Sequence, residues 1–284
     1  MSRPRAAIIG AGRMGQGLAL ALQRRGYAPV LIARRVHPVA PTLLLHAGDP
    51  ADAVRPAEFI LIATPDDSIP EVADMLAQGG AVKRDQAVLH LSGLLGASAL
   101  SALSSTGAAL GSFHPLQTIA DPATAAERLA GSFVGLEGDD RAIEAGERLA
   151  KTLRMTPVRV TSAAKPAYHA AATIVANYTV VLVGIAERLA REAGVPPEAA
   201  NKIYLPLLDG ALQNLKTMSP VQALTGPVRR GDSRTIEAHL EALEAADRKV
   251  YRELGLAALE MAKTAGLDEK AAKAVIKSLK TGER

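Results

Sequence analysis

A glycine-rich turn near the start of the chain carries the strongest chemical signal in the sequence. It reads Gly10-Ala11-Gly12-Arg13-Met14-Gly15, follows a short apolar run and precedes a helical pattern. In this setting the first glycine permits a tight turn, the second lets the backbone approach a diphosphate, and the third lets helix and strand pack closely. The motif predicts a dinucleotide site, and the alternative is an ordinary glycine-rich turn between a strand and a helix.

Two arginines follow the next predicted strand, about 20 residues beyond the glycines, where NAD enzymes place a carboxylate for the ribose 2′-hydroxyl. They are Arg34 and Arg35. Guanidinium groups donate charge-assisted hydrogen bonds to a 2′-phosphate and offer the hydroxyl no acceptor. The pair therefore favours NADP(H) over NAD(H), and the alternative is two solvated side chains at a strand end.

Further polar residues follow the third and fourth predicted strands. The first group is Ala63, Thr64 and Pro65, and the second contains Ser92. Ligands of open α/β sheets bind at the carboxyl ends of the strands, so we expect these residues to line the cofactor. We interpret the acidic pair 66–67 as turn residues.

A histidine follows the fifth predicted strand, within the segment Phe113-His114-Pro115-Leu116-Gln117-Thr118. An imidazole titrates near neutral pH and can pass a proton to a carbonyl or imine as hydride arrives. His114 is therefore the predicted proton donor, and Gln117 is a candidate substrate contact. His90, inside a predicted strand, and His239, on a predicted helix, are expected to be structural.

The C-terminal half places polar residues on one side of a helix. Lys165, His169, Thr173 and Asn177 recur every four residues in an otherwise apolar stretch, so they are expected to share a face. That face either supplies donors to a substrate carboxylate or carbonyl, or makes hydrogen bonds between helices at a dimer contact.

A stretch marked by glycine and proline, residues 224–232, reads as a loop that contains Thr225 and Arg230. Loops commonly carry substrate contacts. Arg230 is therefore a candidate partner for an anionic substrate, and the alternative is a solvated loop arginine.

Composition limits the classes of protein and ligand that fit these residues. The chain has 284 residues, 48% hydrophobic and 22% charged, which is typical of soluble globular proteins and long enough for about two domains. Aromatic residues make up only 3%, so we expect no nucleic-acid partner. Cysteine is absent, which excludes disulfides and thiolate ligands, and we expect no metal site. The net charge of +4 suits a small phosphorylated ligand.

Short apolar runs alternate with helical patterns up to about residue 161, which predicts βαβ units on a mostly parallel, doubly wound sheet. Strands are expected at 6–9, 29–33, 59–63, 88–91, 109–113, 132–136 and 157–160. A capping box is expected at Ser68 and Glu71. The predicted domains are a Rossmann domain over 1–161 and an all-α substrate and dimerisation domain over 162–284.

Two apolar segments of the helical half are expected to pack against other protein surfaces. The stretch 167–190 is apolar nearly all round but contains too many polar residues for hydrocarbon, so we expect no membrane span. Such a helix is instead expected to be buried among other helices or at a subunit interface. Leucines 205, 208, 212 and 215 form a stripe that is expected to pack against another helix.

With these residues in view, the chain resembles bacterial Rossmann-like proteins whose helical C-terminal half is the domain of unknown function 2520. The resemblance rests on residues 10–15, 113–117, 168–178, 205–207 and 224–232. It implies C-terminal helices like those of 6-phosphogluconate dehydrogenase, as in ketopantoate reductases, pyrroline-carboxylate reductases and prephenate dehydrogenases. It also implies a homodimer formed through those helices.

The resemblance further implies roles for individual residues. Ser92 and His114 match the serine and the His-Pro pair of prephenate dehydrogenases, which use the histidine in proton transfer. Lys165 matches the lysine of β-hydroxyacid dehydrogenases, but His169 stands one turn later, where those enzymes have asparagine.

Together these features predict a cytoplasmic oxidoreductase that transfers hydride between NADPH and a small keto or imino compound, a carboxylate such as ketopantoate being a candidate. The predicted catalytic residues are His114, Ser92, Lys165, His169 and Asn177. The predicted substrate contacts are Gln117, Thr173, Thr225 and Arg230. The alternatives are a non-catalytic NADP(H)-binding sensor or docking protein, and hydride exchange with a deazaflavin.

Overall fold

The sheet of this protein has eight strands in the described part of the chain. The computed structural model describes residues 3–36, 38–200 and 202–281 and divides into two compact units, Met1–Asn177 and Tyr178–Arg284. The strands are β1 (Arg5–Ile9), β2 (Ala28–Ala33), β3 (Leu44–Ala47), β4 (Phe59–Ile62), β5 (Ala87–His90), β6 (Ala109–Pro115), β7 (Phe133–Gly138) and β8 (Thr156–Arg159). Their order is β3-β2-β1-β4-β5-β6-β7-β8.

All neighbouring strands run parallel except β6 and β7. The mostly parallel sheet is thus confirmed. The sequence did not predict β3, a four-residue strand at the edge of the sheet whose side chains are partly or fully exposed. Strand β6 is longer than expected and includes His114, because its last residues pair with the antiparallel β7.

Helices pack on both faces of the sheet in the first unit. The α-helices of this unit are α1 (Arg13–Gln23), α2 (Ala51–Val54), α3 (Ile69–Gln78), α4 (Ala125–Leu129), α5 (Asp140–Leu153) and α6 (Lys165–Thr173). Alternate strand residues face opposite sides, so Ile8 joins a core with side chains of α1 and α5, whereas Ile9 joins one with side chains of α3. This two-sided core is that of a doubly wound sheet.

The predicted capping box at Ser68 is wrong. Ser68 ends a 3₁₀ turn, has helical backbone angles (φ −92°, ψ −9°) and makes no side-chain cap. The chain therefore enters α3 through that turn, with Pro70 in the first turn of the helix, where its missing N–H costs nothing.

The second unit is helical throughout its described residues. Its helices are α7 (Thr179–Glu192), α8 (Pro197–Ala200), α9 (Leu205–Thr217), α10 (Pro220–Ala223), α11 (Gly226–Arg230), α12 (Ser233–Ala242), α13 (Ala245–Thr264) and α14 (Glu269–Lys280). Residues of α11 to α14, among them Ile236, Leu259 and Val275, form its core. The stretch 224–232 is not a simple loop, because its centre forms α11.

The apolar stretch that includes α7 is exposed. Ser162–Glu192 is long and apolar enough to cross a membrane by length and composition, with a mean hydropathy of 1.6, and none of that apolar window is buried. The predicted burial among other helices of the same chain is therefore limited, within the described residues, to the end of α7, where Ala190 is buried. Cover by a second subunit remains a prediction.

Candidate functional site

The glycine turn closes tightly against the neighbouring strand and leaves space at one point. Gly10 has a φ of +113°, and a Cβ there would lie 2.5 Å from the carbonyl oxygen of Ala63. A Cβ on Gly15 would lie 1.9 Å from the carbonyl oxygen of Gly10. A Cβ on Gly12 would meet no atom within 4 Å. The first and third glycines are therefore required by packing, and the second lies beside open space that a ligand can occupy.

The open space lies at the N-terminus of α1, an 11-residue helix. Gly12 caps this helix without a side-chain hydrogen bond, and its first turn has no acidic residue. Ala11 is buried and Met14 packs on the core, whereas Arg13 is exposed. Free N–H groups, a helix dipole and a nearby cation fit the diphosphate of a dinucleotide.

Arg34 and Arg35 lie just beyond β2, which pairs with β1 in the sheet. Both are exposed, and neither takes part in an ion pair of the described residues. They are therefore available, at the edge of the sheet that carries the glycine turn, to a phosphate on the ribose.

The segment after β4 borders the same turn. A Cβ on Gly10 would lie 3.0 Å from the backbone nitrogen of Thr64. The Oγ1 atom of Thr64 is buried and has no hydrogen-bond partner among the described residues, whereas Pro65 is exposed. Buried hydroxyls are normally paired, so Thr64 provides an unmet polar atom where a bound cofactor is expected.

Ser92, after β5, is fully engaged by the protein. Its hydroxyl donates to the Oδ2 of Asp66 at 2.7 Å and accepts from the backbone N–H groups of Leu94 at 3.0 Å and Leu95 at 2.9 Å. A serine hydroxyl has one proton and two lone pairs, so nothing remains for a substrate. In this structure the Ser92 hydroxyl is therefore held by Asp66 and by the backbone, and its role in proton transfer remains a prediction.

Lys165 is also committed inside the protein. It is 2% exposed, and its Nζ donates to the carbonyl oxygen of Ser92 at 3.0 Å and to the Oγ of Ser112 at 2.7 Å. Burial lowers the pKa of Lys165, and the charges of Glu137 and Asp66 oppose that shift. The predicted catalytic lysine thus ties the start of α6 to the ends of β5 and β6.

Three aromatic rings form a cluster, in which the two imidazoles lie against Gly93 and the Tyr168 ring lies against Gly135. The Nδ1 of His114 lies 3.3 Å from the Tyr168 hydroxyl, and the His114 and His169 rings are edge to face with centroids 5.4 Å apart. A Cβ on Gly93 would lie 2.3 Å from the Nδ1 of His169 and 2.8 Å from the Nε2 of His114. Both imidazoles therefore pack directly on Gly93, and the hydrogen bonds of the preceding residue, Ser92, fix the position of this glycine.

The pKa values of His114 and Tyr168 differ from those of the free side chains. Burial, then the neighbouring His169 and Lys165, lower the pKa of His114 to about 4. Burial raises the pKa of Tyr168 to about 12. At pH 7 the imidazole is neutral and the phenol keeps its proton, so His114 is not an imidazolium acid.

The cluster opens into a cavity of about 750 Å³ in the first unit. Its walls come from the segment after β6, from α6 and from the turn that follows α6: His114, Pro115, Leu116, Gln117, Thr118, Ile119, Tyr168, His169, Ala171, Ala172, Thr173, Val175, Ala176 and Asn177. That turn, Ile174–Tyr178, is a π-helix, a feature frequent at functional sites. The structure thus brings His169, Thr173 and Asn177 together with His114 and Gln117, and leaves Lys165 out.

Two predicted substrate contacts lie in the second unit. Thr225 is the N-cap of α11 and Arg230 is its last residue, and both are exposed. Their contact with a substrate remains a prediction.

Sequence reasoning missed two members of the cluster. Tyr168 precedes a candidate residue, His169, and Gly93 follows another, Ser92. The sequence signal for Tyr168 was its place one residue before a polar helix face. Gly93 could be recognised only from the close approach of two side chains that are distant in sequence.

Two family models match the chain. A Rossmann-like domain matches residues 1–115, and the domain of unknown function DUF2520 matches residues 132–258. The chain therefore contains a region similar to Rossmann-like domains, followed by a region similar to DUF2520. The DUF2520 match begins beside β7, so it includes part of the sheet as well as the helices. No curated protein matches the sequence.

Solved structures share the fold of this chain. A Bacteroides fragilis protein assigned as an NADP oxidoreductase has a TM-score of 0.75 at 21% identity, covering 91% of this chain and 98% of its own. Pyrroline carboxylate reductase of Plasmodium falciparum, with NADP bound, has a TM-score of 0.64 at 10% identity, covering 98% and 99%. An imine reductase of Myxococcus stipitatus, in complex with NADP⁺, has a TM-score of 0.61 at 19% identity, covering 97% and 99%.

Proposed function

We propose that this protein is an NADP(H)-dependent reductase of small compounds with a C=O or C=N bond. One observation carries the proposal. The neutral His114 lies beside the Tyr168 hydroxyl and lines a cavity at the end of the sheet that also bears the glycine turn. The structural relatives, which include an NADP oxidoreductase, a pyrroline carboxylate reductase and an imine reductase, support the same class of reaction.

The cofactor residues are assigned by fit. The space beside Gly12 and the free N–H groups of α1 suit the diphosphate, and Arg34 and Arg35 suit a 2′-phosphate. Thr64 has the unpaired hydroxyl expected beside a bound group. When bound, NADPH would supply a hydride, and hence two electrons, to the carbon of the C=O or C=N bond and leave as NADP⁺.

The protein must then deliver one proton to the substrate oxygen or nitrogen. An imidazolium is present in only about one molecule in a thousand at pH 7 when the pKa is near 4. Instead, we assign the proton of neutral His114 to Nε2, with Tyr168 donating to Nδ1. As the substrate atom gains charge it takes the Nε2 proton, Nδ1 takes the phenol proton, and water reprotonates Tyr168.

The experiment that tests the enzyme is turnover of a panel of carbonyl and imine compounds with NADPH, followed by loss of NADPH absorbance. His114→Ala is expected to lower turnover by about 100-fold while the affinity for NADPH, measured by fluorescence titration, stays unchanged. Tight NADPH binding with no oxidation by any panel member would favour the non-catalytic sensor, and oxidation by a deazaflavin alone would favour hydride exchange.

The cofactor assignment has its own test. Arg34→Asp with Arg35→Ser is expected to weaken NADPH binding by at least about tenfold and to leave NADH binding nearly unchanged, because only NADPH has the 2′-phosphate. The control is Arg25→Asp with Arg55→Ser, which makes the same charge change at exposed positions elsewhere on the first unit. Equal losses for both nucleotides would contradict the assignment.

We further propose that the protein works in the cytoplasm as a homodimer. Helices α7 and α9 of the second unit expose apolar side chains, among them Val180 at 72% and Leu207 at 72%. Two copies of the same apolar faces can cover each other around a two-fold axis.

A further inference from the structure

The cavity that His114 lines has few titratable side chains on its walls. None of its lining residues within the described chain is a lysine, arginine, aspartate or glutamate. Its two titratable bases are His114, with a pKa lowered to about 4, and His169. Leu116, Ile119 and Val175, together with three alanines, supply apolar walls.

Three charged groups that act on the histidine and lysine side chains of this region are already bound within the protein. Lys165 directs its ammonium to Ser92 and Ser112, and Asp66 accepts from Ser92. Glu137 accepts from the backbone of Ala97 at 2.8 Å and from the hydroxyl of Ser162 at 2.5 Å. None of these three charged residues lines the cavity, so a charged substrate would find no counter-ion on its walls.

We infer that the site selects uncharged substrates and discriminates against carboxylates. A carboxylate that enters this cavity exchanges part of its hydration for walls that carry no cation, and such an exchange is unfavourable for an unpaired charge. A neutral C=O or C=N group needs only a hydrogen bond, which the Nε2–H assigned to His114 can donate. This inference rests on the proposed function for the identity of the site, and it replaces the expected carboxylate substrate with a neutral imine or carbonyl compound.

The first test measures binding without any reaction. The 5-carboxamide and the 5-carboxylate of 2-pyrrolidinone are an unreactive pair of lactams that are similar in size and differ in charge. NMR titration that follows the His114 and His169 ring signals is expected to give at least about tenfold tighter binding for the neutral lactam. Equal affinity, tighter binding of the carboxylate, or no binding of either compound would overturn the inference.

The second test introduces the missing cation. Thr173→Lys places an ammonium on the cavity wall, and Thr173→Met is the matched uncharged variant of similar length. The lysine variant is expected to bind the carboxylate more tightly than the methionine variant does, because the two differ in the ammonium group. No gain for a lysine variant whose circular dichroism and unfolding midpoint match those of the methionine variant would overturn the inference.

Turnover separates this inference from the proposed function. With NADPH present, 1-pyrroline is expected to be reduced at least about tenfold more efficiently than its 5-carboxylate. A preference for the carboxylate would leave the reductase in place and overturn the neutral-substrate inference. Preference for the neutral lactam in the NMR titration with no NADPH oxidation would support the inference and overturn the reductase.

Discussion

At the scale of the residue, His114 shows how the surroundings of a side chain change its chemistry. Its place after a strand predicted an acid that titrates near neutrality, but burial lowers its pKa to about 4. Its neighbour Tyr168 retains a proton with a pKa of about 12. The pair therefore has a proton to deliver without forming an imidazolium. The residue type was visible in the sequence, and the protonation state depends on contacts formed only in the fold.

Gly93 is the residue whose replacement should most directly disturb this pair. A Cβ in Gly93→Ala would lie 2.3 Å from His169 and 2.8 Å from His114, so both rings must move. We expect turnover to fall by about 100-fold, because small misplacements at a reacting centre cost that much, while NADPH affinity is kept. Gly79→Ala is the control, since a Cβ there lies 3.4 Å from the nearest atom. Unchanged turnover in Gly93→Ala would remove the two rings from the mechanism.

At the scale of the element, the sequence was informative where periodicity is simple. The buried apolar runs of β1 and β4 and the amphipathic pattern of α14 could be predicted, because side-chain burial repeats with a fixed period. Strand β3 is short and exposed and lacks that signal. The π turn at Ile174–Tyr178 has no composition of its own, so the sequence predicted only a regular helix there.

A second neutral imidazole, that of His90, holds the loop after β5 in place through two hydrogen bonds. His90 is fully buried, its Nδ1 accepts from the Ser92 N–H at 3.2 Å and its Nε2 donates to the Gly96 carbonyl oxygen at 3.1 Å. Burial lowers the pKa of His90 to about 4. A second proton would place an N–H on Nδ1 against the Ser92 N–H, so acid should release the loop that carries Gly93.

This arrangement predicts an acid-sensitive stability. The unfolded chain binds the His90 proton with a pKa near 6.5, above the folded value of about 4. Stability from neutral His90 is therefore present above about pH 6.5 and is lost as the pH falls toward 4. Between pH 7.5 and 4.5 the loss is about 2 to 3 kcal/mol for this group. Urea unfolding should show a smaller pH dependence for His90→Asn than for His239→Asn, and equal slopes would contradict the prediction.

At the scale of the whole molecule, the exposed leucines of α9 are the main feature that the single chain does not explain. None of its 13 residues is buried in the described chain, and Leu205, Leu208, Leu212 and Leu215 are 40% to 51% exposed. The predicted stripe exists, but no neighbour covers it within the described chain. An isolated helix of this length is only marginally stable in water, so α9 requires another protein surface to pack against.

The expected cover is a second copy of the chain, and its removal should separate the subunits. Sedimentation velocity at micromolar concentration is expected to give twice the chain mass of 29.5 kDa. Leu208→Asp with Leu212→Asp puts two charges on the apolar stripe and should yield the monomer, because unpaired charges are costly in an apolar interface. Gln213→Asp with Asn214→Asp adds the same charge to the same helix at polar positions and should leave the dimer intact. A monomeric parent protein would mean that another partner covers α9.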